Sequence, residues 1–267
     1  MKLSTVHPTA IIDPKADVHK TAKVGPYSVI DAGVAVGADC VIGPHVHFVG
    51  NTTIGRGNCF HTGAVIGDEP QDLKYTGEPT RLRIGDHNNF REHVTIHRSN
   101  TPDEDTIIGN HNFFMAHSHV GHNSIIGNHN TFANGALIAG HVEIADRALI
   151  SGNCLVHQFV RIGTLALMQG GAAISKDLPP YTIAANGLNG IRGLNTIGIR
   201  RAGFNSERRL DLKRYYRLLF LEGNNLLAEA KALLKEATSE PVSELLEFII
   251  GSKRGVCRHA DRKQAAD

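Results

Sequence analysis

Three histidines lie within six residues of one another in the segment MAHSHVGHNSIIGN, residues 115–128. The imidazoles of His117, His119 and His122 could bind a metal ion, accept a proton in catalysis or lie on a solvated surface. Zinc sites combine such side chains with an open position for water. A general base needs one neutral imidazole, whose usual pKa of about 6.5 suits proton transfer at neutral pH. The choice depends on the elements that hold the three rings.

Apolar residues recur at every sixth position through most of the chain. The series runs from Val6 to Ile66, resumes from Ile84 to Ile96 and continues from Ile108 to Ile174. This spacing matches neither the period of about 3.6 of a helix nor the period of 2 of a strand. It indicates a chain that turns a corner every six residues, with one aliphatic side chain inward on each short face. Three faces form a coil, and the coils stack as parallel strands about 4.8 Å apart.

Glycine often follows the inward residue, where we expect a corner to need a permissive backbone. Two polar insertions, residues 67–83 and 97–107, interrupt the coils. Loops on a rigid scaffold often carry binding residues. The repeat is predicted to end near Ile174, and the prolines of residues 176–181 close the solenoid.

A helical pattern follows the solenoid. Its first helix is capped by Asn205 or Ser206 and ends near Gly223, and two further helices cover residues 226–237 and 242–250. The basic tail from residue 251 is expected to fray. The predicted organisation is a mainly β solenoid over residues 1–190 and a small helical domain over residues 191–267.

Composition excludes several classes of protein. The formal net charge of +2 is too small to favour nucleic-acid binding. Cys40, Cys59, Cys154 and Cys257 form no C-x-x-C pair and are expected to be reduced thiols. The N-terminal segment lacks the apolar core of a signal peptide, and no stretch approaches the roughly 20 apolar residues of a membrane span. We therefore expect a cytoplasmic protein without an integral membrane segment.

The period of six resembles the hexapeptide-repeat left-handed parallel β-helix, whose handedness is taken from the resemblance alone. That fold hosts acyltransferases, sugar-nucleotide enzymes and zinc carbonic anhydrases. The longer motifs are more specific. They are QDLKYTGEPTR (71–81), TIHR (95–98), HVGHNSIIGN (119–128), LIAGHV (137–142), VHQF (156–159), DLPPY (177–181) and GLNTIGIRRAGF (193–204). In this order they closely resemble the acyl-carrier-protein:UDP-N-acetylglucosamine O-acyltransferase family, which performs the first step of lipid A synthesis.

The resemblance implies that a glucosamine 3-hydroxyl attacks the thioester of a 3-hydroxyacyl-acyl carrier protein. His122 is then the general base, and the backbone N–H of Gly140 stabilises the oxyanion. The substrate-binding positions carried over are Gln71, Asp72, Lys74, His97, His119, His141, Gly152, His157, Gln158, Gly170, Asn195 and Arg201. No metal is implied, and no cofactor except the phosphopantetheine that arrives on the carrier protein.

The coil length supports part of this assignment without the family. His122 and His141 are 19 residues apart, one coil of 18 plus one, and His119 and His157 are two coils plus two apart. We therefore expect these four histidines to form a ladder along one edge of the prism. His117 is expected to take no part in it.

Two kinds of partner are implied. Family members place active sites between subunits of a homotrimer, which also covers the flat faces of a β-prism. Acyl carrier proteins are strongly acidic, so the basic C-terminal segment is expected to dock the carrier. Its proposed docking residues are Arg200, Arg208, Arg209, Lys213 and Arg214.

Several positions depart from the family pattern. Asn123 follows His122 where many relatives have Asp, which leaves open what orients the base. Ile197 and Ala202 stand where relatives often have Glu and Arg, which leaves uridine recognition open. Met168 and Leu188, near Gly170, leave the acyl-chain length open. The acceptor, a 3-hydroxyl or 3-amino sugar, also stays open.

Two other classes of function are possible. A zinc carbonic anhydrase-like enzyme would use the H-x4-H pair His117 and His122 with a third imidazole from a neighbouring subunit. A structural or regulatory solenoid would need no base at all. The zinc alternative gives no purpose to the QDLKYTGEPTR insertion, to the His141 and His157 motifs or to the helical domain.

Overall fold

The computed structural model describes residues 5–185, 187–222, 225–237 and 239–260. Short strands form three sheets that wind into a left-handed parallel β-helix. Each coil contributes one strand to each sheet, as the period of six predicts. The four-helix C-terminal region packs against the last coils.

The strands of the three sheets follow in order across each sheet. The first sheet contains Ile11–Ile12, Val29–Ile30, His47–Phe48, Val65–Asp68, Thr95–His97, His119–Val120, Leu137–Ile138, Leu155–Val156, Ala172–Ile174 and Gly187–Leu188. The second contains Asp17–Val18, Ala35–Val36, Asn51–Ile54, Arg81–Ile84, Asp105–Ile108, Ile125–Ile126, Glu143–Ile144 and Arg161–Ile162. The third contains Lys23–Val24, Val41–Ile42, Cys59–Phe60, Asn89–Phe90, Phe113–Phe114, Thr131–Phe132, Leu149–Ile150, Leu167–Met168, Thr182–Ala184, Gly190–Leu194 and Arg258–His259.

Three edges join these sheets. Edge 1 joins the first sheet to the second and includes corner residues 121–124 and 139–142. Edge 2 joins the second sheet to the third, and edge 3 joins the third to the first. Strands on one sheet pair in register at a spacing of one coil, so His119 lies beside Leu137 and Leu137 beside Leu155. Residues 18 apart therefore form columns that run along the prism.

The inward residue of each face forms the core, fully buried from Val24 onwards. Four phenylalanines of the third sheet stack inside it with nearly parallel rings and centroids 4.5–4.9 Å apart. They are Phe60, Phe90, Phe114 and Phe132. A second layer of the core was not predicted: the residue two positions before the inward one is also buried at many corners, as at Val94 and Val142.

Except for Gly67, with φ 86°, the glycines that follow the inward residues serve packing, and not the corner conformation that we predicted. A Cβ on Gly37 would lie 2.6 Å from the carbonyl carbon of Gly55 in the next coil, and a Cβ on Gly109 would lie 2.5 Å from the carbonyl oxygen of Gly127. Positive φ is found two residues further on, often at Asn or His, such as Asn123 with φ 58° and His141 with φ 58°. Short polar side chains tolerate that conformation better than most.

Both insertions are shorter than predicted. The strands Arg81–Ile84 and Asp105–Ile108 begin within the predicted insertions and pair with each other in register. The remaining loops are residues 69–80 and 98–104. Arg81 and Arg83 both donate to the carboxylate of Asp105, which fixes the point where the second loop ends.

The solenoid also continues past Ile174. Thr182–Ala184 and Gly187–Leu188 add to the third and first sheets, so the segment predicted to close the solenoid is part of a last coil. The strand Gly190–Leu194 pairs antiparallel with Thr182–Ala184 and crosses the predicted domain boundary at residue 190.

The C-terminal region contains α1 (Thr196–Arg201), α2 (Ser206–Arg217), α3 (Leu226–Leu234) and α4 (Glu240–Ile250). A π-helical turn, Leu218–Glu222, extends α2, and the predicted end at Gly223 lies outside the described residues. The Asn205 side chain accepts from the backbone of Arg208, so the predicted cap is confirmed. Residues 251–260 are not frayed, because Arg258–His259 pairs with the strand Gly190–Leu194 and Cys257 is buried. None of the described helices has the length and apolar character required to cross a bilayer.

Candidate active site

His122 lies at a corner of edge 1, two residues after the strand His119–Val120, and is almost completely buried. Its ring covers Gly140 in the next coil, because a Cβ at Gly140 would lie 2.7 Å from both Cε1 and Nε2 of His122. The Nδ1 atom lies 2.8 Å from Oδ1 of Asn123. The ring is therefore held on one side by the backbone and on the other by an amide, and Nε2 is the nitrogen nearer to Gly140.

Three more imidazoles surround His122. His141 is perpendicular to it, with ring centroids 5.1 Å apart, and His97 and His119 form a second perpendicular pair at 4.9 Å. Burial, followed by the charges of His97 and His122, lowers the pKa of His119 to about 4. Burial is also the main cause that lowers the pKa of His97 and of His141. These rings are neutral near pH 7, so they do not oppose a positive charge on His122.

A groove of about 660 Å³ opens beside His122 and follows the outer surface of the first sheet. Of the predicted site residues, it is lined by Gln71, His97, His119, His122, Gly140, His157 and Gln158. Beyond His119 its floor becomes apolar. The column that starts at His119 continues through Leu137, Leu155 and Ala173 to Leu188. With strands about 4.8 Å apart, Leu188 lies roughly 19 Å from His119, and the apolar strip from Leu137 to Leu188 is roughly 14 Å long.

The two inserted loops bond to each other beside the polar end of the groove, where Gln71 of the first loop is a lining residue. The buried guanidinium of Arg98 donates to the carbonyl oxygen of Gly67 and to the hydroxyl of Tyr75, at 2.9 and 3.1 Å. Asn100 Nδ2 donates to Asp72 Oδ2 at 2.7 Å. That bond and the backbone N–H of Lys74 lower the pKa of Asp72, with the backbone bond as the larger cause. The two loops thus form one bonded unit.

The predicted ladder is only partly correct. His119, His157, His122 and His141 all lie at or beside edge 1, but in four neighbouring columns and not one above another. His122 occupies the column of Gly140 and Gln158. His141 occupies the column of Asn123 and stacks on Phe159, with centroids 4.6 Å apart. The sequence separations of these histidines exceed a whole number of coils by one or two residues, and this excess places them in different columns.

Several predicted substrate positions lie away from the groove. Gly152 and Gly170 are at edge 3, where a Cβ on Gly170 would meet only the Gly152 carbonyl oxygen, at 3.6 Å. Asn195 caps α1 and donates to the Leu165 carbonyl, so both ends of its amide are already bonded. Lys74 and Arg201 are exposed and do not line the groove. Met168 is fully buried and faces the core.

The predicted carrier-docking residues divide between two faces of the helical region. Arg200, Arg209 and Lys213 line one groove of about 700 Å³ with apolar side chains such as Ile197. Arg208 and Arg214 lie on another face, beside the acidic residues Glu207, Asp211 and Glu240. Arg217, which the sequence analysis did not include, joins the first group and pairs with Glu222 at 2.6 Å.

His117 does not share an edge with His122. Its ring stacks on His93 at edge 3, with centroids 5.2 Å apart. Across the described ranges, no cluster of three or more His, Cys, Asp or Glu side chains could hold a metal ion. The zinc-enzyme alternative therefore has no support in this fold.

Two groups of site residues escaped the sequence analysis. Leu137, Leu155 and Ala173 follow His119 at intervals of 18, so the coil length that grouped the histidines could have located them. Glu104 contacts Asn123 and gave no such signal, because it lies in an insertion that breaks the period. The N–H of Gly140 was predicted, and it has no acceptor among the residues that the structure describes.

Known proteins share both the sequence and the fold of this chain. Residues 177–257 match the family described as Udp N-acetylglucosamine O-acyltransferase, Domain 2, and residues 105–140 match the bacterial transferase hexapeptide family. The acyl-[acyl-carrier-protein]–UDP-N-acetylglucosamine O-acyltransferase of Xanthomonas euvesicatoria is 46% identical over 95% of this chain and 97% of its own length. That of Halorhodospira halophila is 42% identical over 96% and 100%. The solved UDP-N-acetylglucosamine acyltransferase of Bacteroides fragilis superposes with a TM-score of 0.90 at 38% identity, covering 94% of this chain and 99% of that one.

Proposed function

The chain belongs to the acyl-[acyl-carrier-protein]–UDP-N-acetylglucosamine O-acyltransferase family, and we propose that it catalyses this transfer with His122 as the general base. The acyl group is a 3-hydroxyacyl chain, and it passes from the carrier's pantetheine thioester to the 3-position of the glucosamine. The product would enter lipid A synthesis. The reaction requires no metal, and no cofactor other than the phosphopantetheine on the carrier protein.

The proposed chemistry is an acyl transfer through a tetrahedral intermediate. Nε2 of His122 accepts the proton of the glucosamine 3-hydroxyl while the oxygen attacks the thioester carbonyl. The Gly140 N–H donates to the oxyanion that forms. The intermediate collapses by breaking the carbon–sulfur bond, and the protonated His122 returns its proton to the leaving thiolate. The base is thereby restored without any other reactant.

The arrangement of His122 carries this proposal. Its Nδ1 is bonded to Asn123, its ring lies against Gly140, and both residues line or border the groove. The polar end of that groove, with Gln71, His119 and His157, suits a sugar nucleotide and a thioester. The strip from Leu137 to Leu188 suits an acyl chain, because an apolar chain bound there leaves water.

We propose a homotrimer. Leu73, on the first inserted loop, is fully exposed, and Leu137, Leu155 and Phe159 are about half exposed around the groove. Apolar side chains clustered in this way usually meet a partner surface. Predicted positions that lie far from the groove of their own chain, such as Gly170 and Arg201, would then complete the groove of a neighbour. The mass in sedimentation should be three times 28.9 kDa, and a monomer would contradict this state.

We place the reaction in the cytoplasm. Cys40, Cys59, Cys154 and Cys257 are all unpaired thiols. Free thiols are typical of reducing compartments. The sugar nucleotide and the acyl carrier protein would be substrates in solution there.

The decisive assay combines UDP-N-acetylglucosamine with 3-hydroxyacyl carrier proteins of graded chain length. His122→Ala should lower kcat by a factor of about 100 to 10,000. His117→Ala is the matched control, because this histidine lies at edge 3 and should leave kcat unchanged. Equal turnover by wild type and His122→Ala would remove the proposed base. The same series with a 3-amino sugar nucleotide identifies the acceptor.

A further inference from the structure

Among the residues that the structure describes, no carboxylate is hydrogen-bonded to His122, although a histidine base is usually oriented by one at its other nitrogen. The next residue is Asn123, which is almost fully buried and contacts Nδ1 of His122 through Oδ1 at 2.8 Å. A neutral amide can donate or accept, so by itself it does not determine which imidazole nitrogen carries the proton. The neighbours of Asn123 determine which nitrogen of His122 carries the proton.

Two contacts fix the orientation of the Asn123 amide. Its Nδ2 donates to Oε2 of Glu104 at 2.7 Å, and its Oδ1 accepts the backbone N–H of Asn100 at 3.0 Å. A carboxylate only accepts and a backbone N–H only donates. If the amide were reversed, its oxygen would face the carboxylate of Glu104 and its NH2 group would face the N–H of Asn100. Oδ1 therefore faces His122 and accepts a hydrogen from Nδ1. The remaining lone pair of the imidazole is then on Nε2, the nitrogen that the proposed reaction uses.

Glu104 is held in place by its neighbours along the chain. It is the last residue of the loop 98–104, directly before the strand Asp105–Ile108. Asp105 accepts from Arg81 and Arg83, and the hydroxyl of Thr106 accepts the backbone N–H of Asn123 at 2.8 Å. The Oε2 atom of Glu104 also lies 3.7 Å from Nδ1 of His141. The loop thus delivers one carboxylate to the corner that carries both histidines.

We propose that Glu104 is a positioning residue, which acts through the Asn123 amide to hold His122 in the tautomer that is basic at Nε2. The inference rests on His122 being the base of the proposed reaction. The negative charge of Glu104 polarises the amide and favours the imidazolium that forms when His122 takes the proton. Glu104, Asn123 and His122 together thus replace the usual acid–histidine pair, and an inserted loop contributes the acid.

Removal of Glu104 should weaken the base without removing it. We expect Glu104→Ala to lower kcat by roughly 10- to 100-fold, by analogy with the loss of a partner that orients a metal-bound histidine. Glu104→Gln should lower it less, because its amide oxygen still accepts from Asn123 but carries no charge. KM for the sugar nucleotide should change little in both. Asp103→Asn, at the exposed acid before Glu104, is the matched control and should leave kcat unchanged.

Moving the carboxylate from position 104 to position 123 tests whether Glu104 positions His122 or only stabilises the loop. In the double variant Glu104→Gln with Asn123→Asp, the carboxylate contacts His122 Nδ1 directly, and the new amide at position 104 donates to that carboxylate. This variant should recover most of the kcat lost in Glu104→Gln. If Glu104 only stabilised the loop, the second substitution would give no recovery, and that result would overturn the proposal.

Nitrogen-15 NMR of histidine-labelled protein reports the tautomer without any activity. The His122 signals are identified by their loss in His122→Gln. Wild type should carry its proton on Nδ1, and Glu104→Ala should give a mixture of tautomers. An unchanged Nδ1–H tautomer in Glu104→Ala would contradict the proposal even if kcat falls. If His122→Ala retains activity, the proposed function fails while the NMR result still decides the role of Glu104.

Discussion

Gly140 illustrates how the absence of one side chain determines the position of the base. The ring of His122 occupies the space where a Cβ would lie, and an added methyl group would meet Cε1 and Nε2 at 2.7 Å. The φ of Gly140 is ordinary for any residue, so space alone requires glycine there. A glycine that the hexapeptide pattern explains as a coil-packing residue thus also serves the site.

We predict that Gly140→Ala impairs catalysis more than stability. The added methyl group meets a side chain, which can rotate away, but a displacement near 1 Å at the base can lower kcat by about 100-fold. In Gly109→Ala, by contrast, the methyl group would lie 2.5 Å from a backbone oxygen, which cannot move without shifting a coil. Steady-state kinetics and thermal melting of both variants should separate them. A Gly140→Ala enzyme with wild-type kcat would show that the ring does not need its present position.

His119 should make the fold sensitive to mild acid. Its pKa in the folded chain is about 4, against 6.5 for an unperturbed histidine, because burial favours the neutral ring. Between pH 6.5 and 4 the unfolded chain binds a proton at this histidine and the folded chain does not. The contribution of neutral His119 to the free energy of unfolding is therefore complete above pH 6.5 and is lost as the pH falls toward 4. The full effect is about 3 kcal/mol. At fixed protein concentration, His119→Gln should flatten the fall of Tm between pH 6.5 and 4, and an unchanged slope would contradict the prediction.

At the scale of the strands, the stack of phenylalanines in the third sheet ties the middle coils together. Phe114 is fully buried between Phe90 and Phe132, with centroids 4.9 and 4.5 Å away. Since its ring contacts the coil above and the coil below, a cavity there weakens two coil interfaces. We predict that Phe114→Ala lowers the free energy of unfolding by about 3–5 kcal/mol. Phe114→Leu should cost less than half as much in the same denaturant titration, and equal losses would argue against a packing role.

The repeated elements were predictable because each coil repeats the same physical problem. The period of six alone predicts the inward position and the burial of Val120 and Ile126. It also predicts the in-register pairing of strands, such as His119 with Leu137, that forms the groove. The loops 69–80 and 98–104 do not repeat, and their structure depends on single contacts such as Asn100 with Asp72. No period indicates such contacts. Glu104 was missed for this reason, whereas His122 lies within a repeat and within a motif that resembles the family.

Several predicted site residues lie away from the groove that contains His122 in the single chain. Gly152 and Gly170 form a column at edge 3, separated from His122 by the width of the first sheet. Asn195 uses both ends of its amide within its own subunit, so its predicted contact with a nucleotide requires a change of partners. Ile197 lines an apolar and basic groove of the helical region, where the family pattern would place an acid. In the proposed homotrimer, these residues could contact a neighbouring subunit, which a single coil does not show.

At the scale of the whole molecule, the described part of the helical region presents two basic surfaces, and one of them suits an acidic carrier protein better. Arg200, Arg209 and Lys213 line one groove together with apolar side chains, whereas Arg208 and Arg214 lie among Glu207, Asp211 and Glu240. These three carboxylates partly neutralise the positive charges of Arg208 and Arg214. The first face therefore combines positive charge with an apolar surface, as protein docking requires.

We predict that charge reversal on this first face impairs use of the carrier protein selectively. Arg209→Glu with Lys213→Glu should raise KM for the acyl carrier protein by about tenfold or more and leave KM for the sugar nucleotide unchanged, because rim charges mainly set the encounter rate. Arg208→Glu with Arg214→Glu makes the same change in net charge on the other face and should have a smaller effect. High salt should raise the carrier KM of the wild type toward that of the first variant, since screening weakens exposed charges beyond about 10 Å. Equal effects of the two double reversals would mean that net charge, and not a docking face, attracts the carrier.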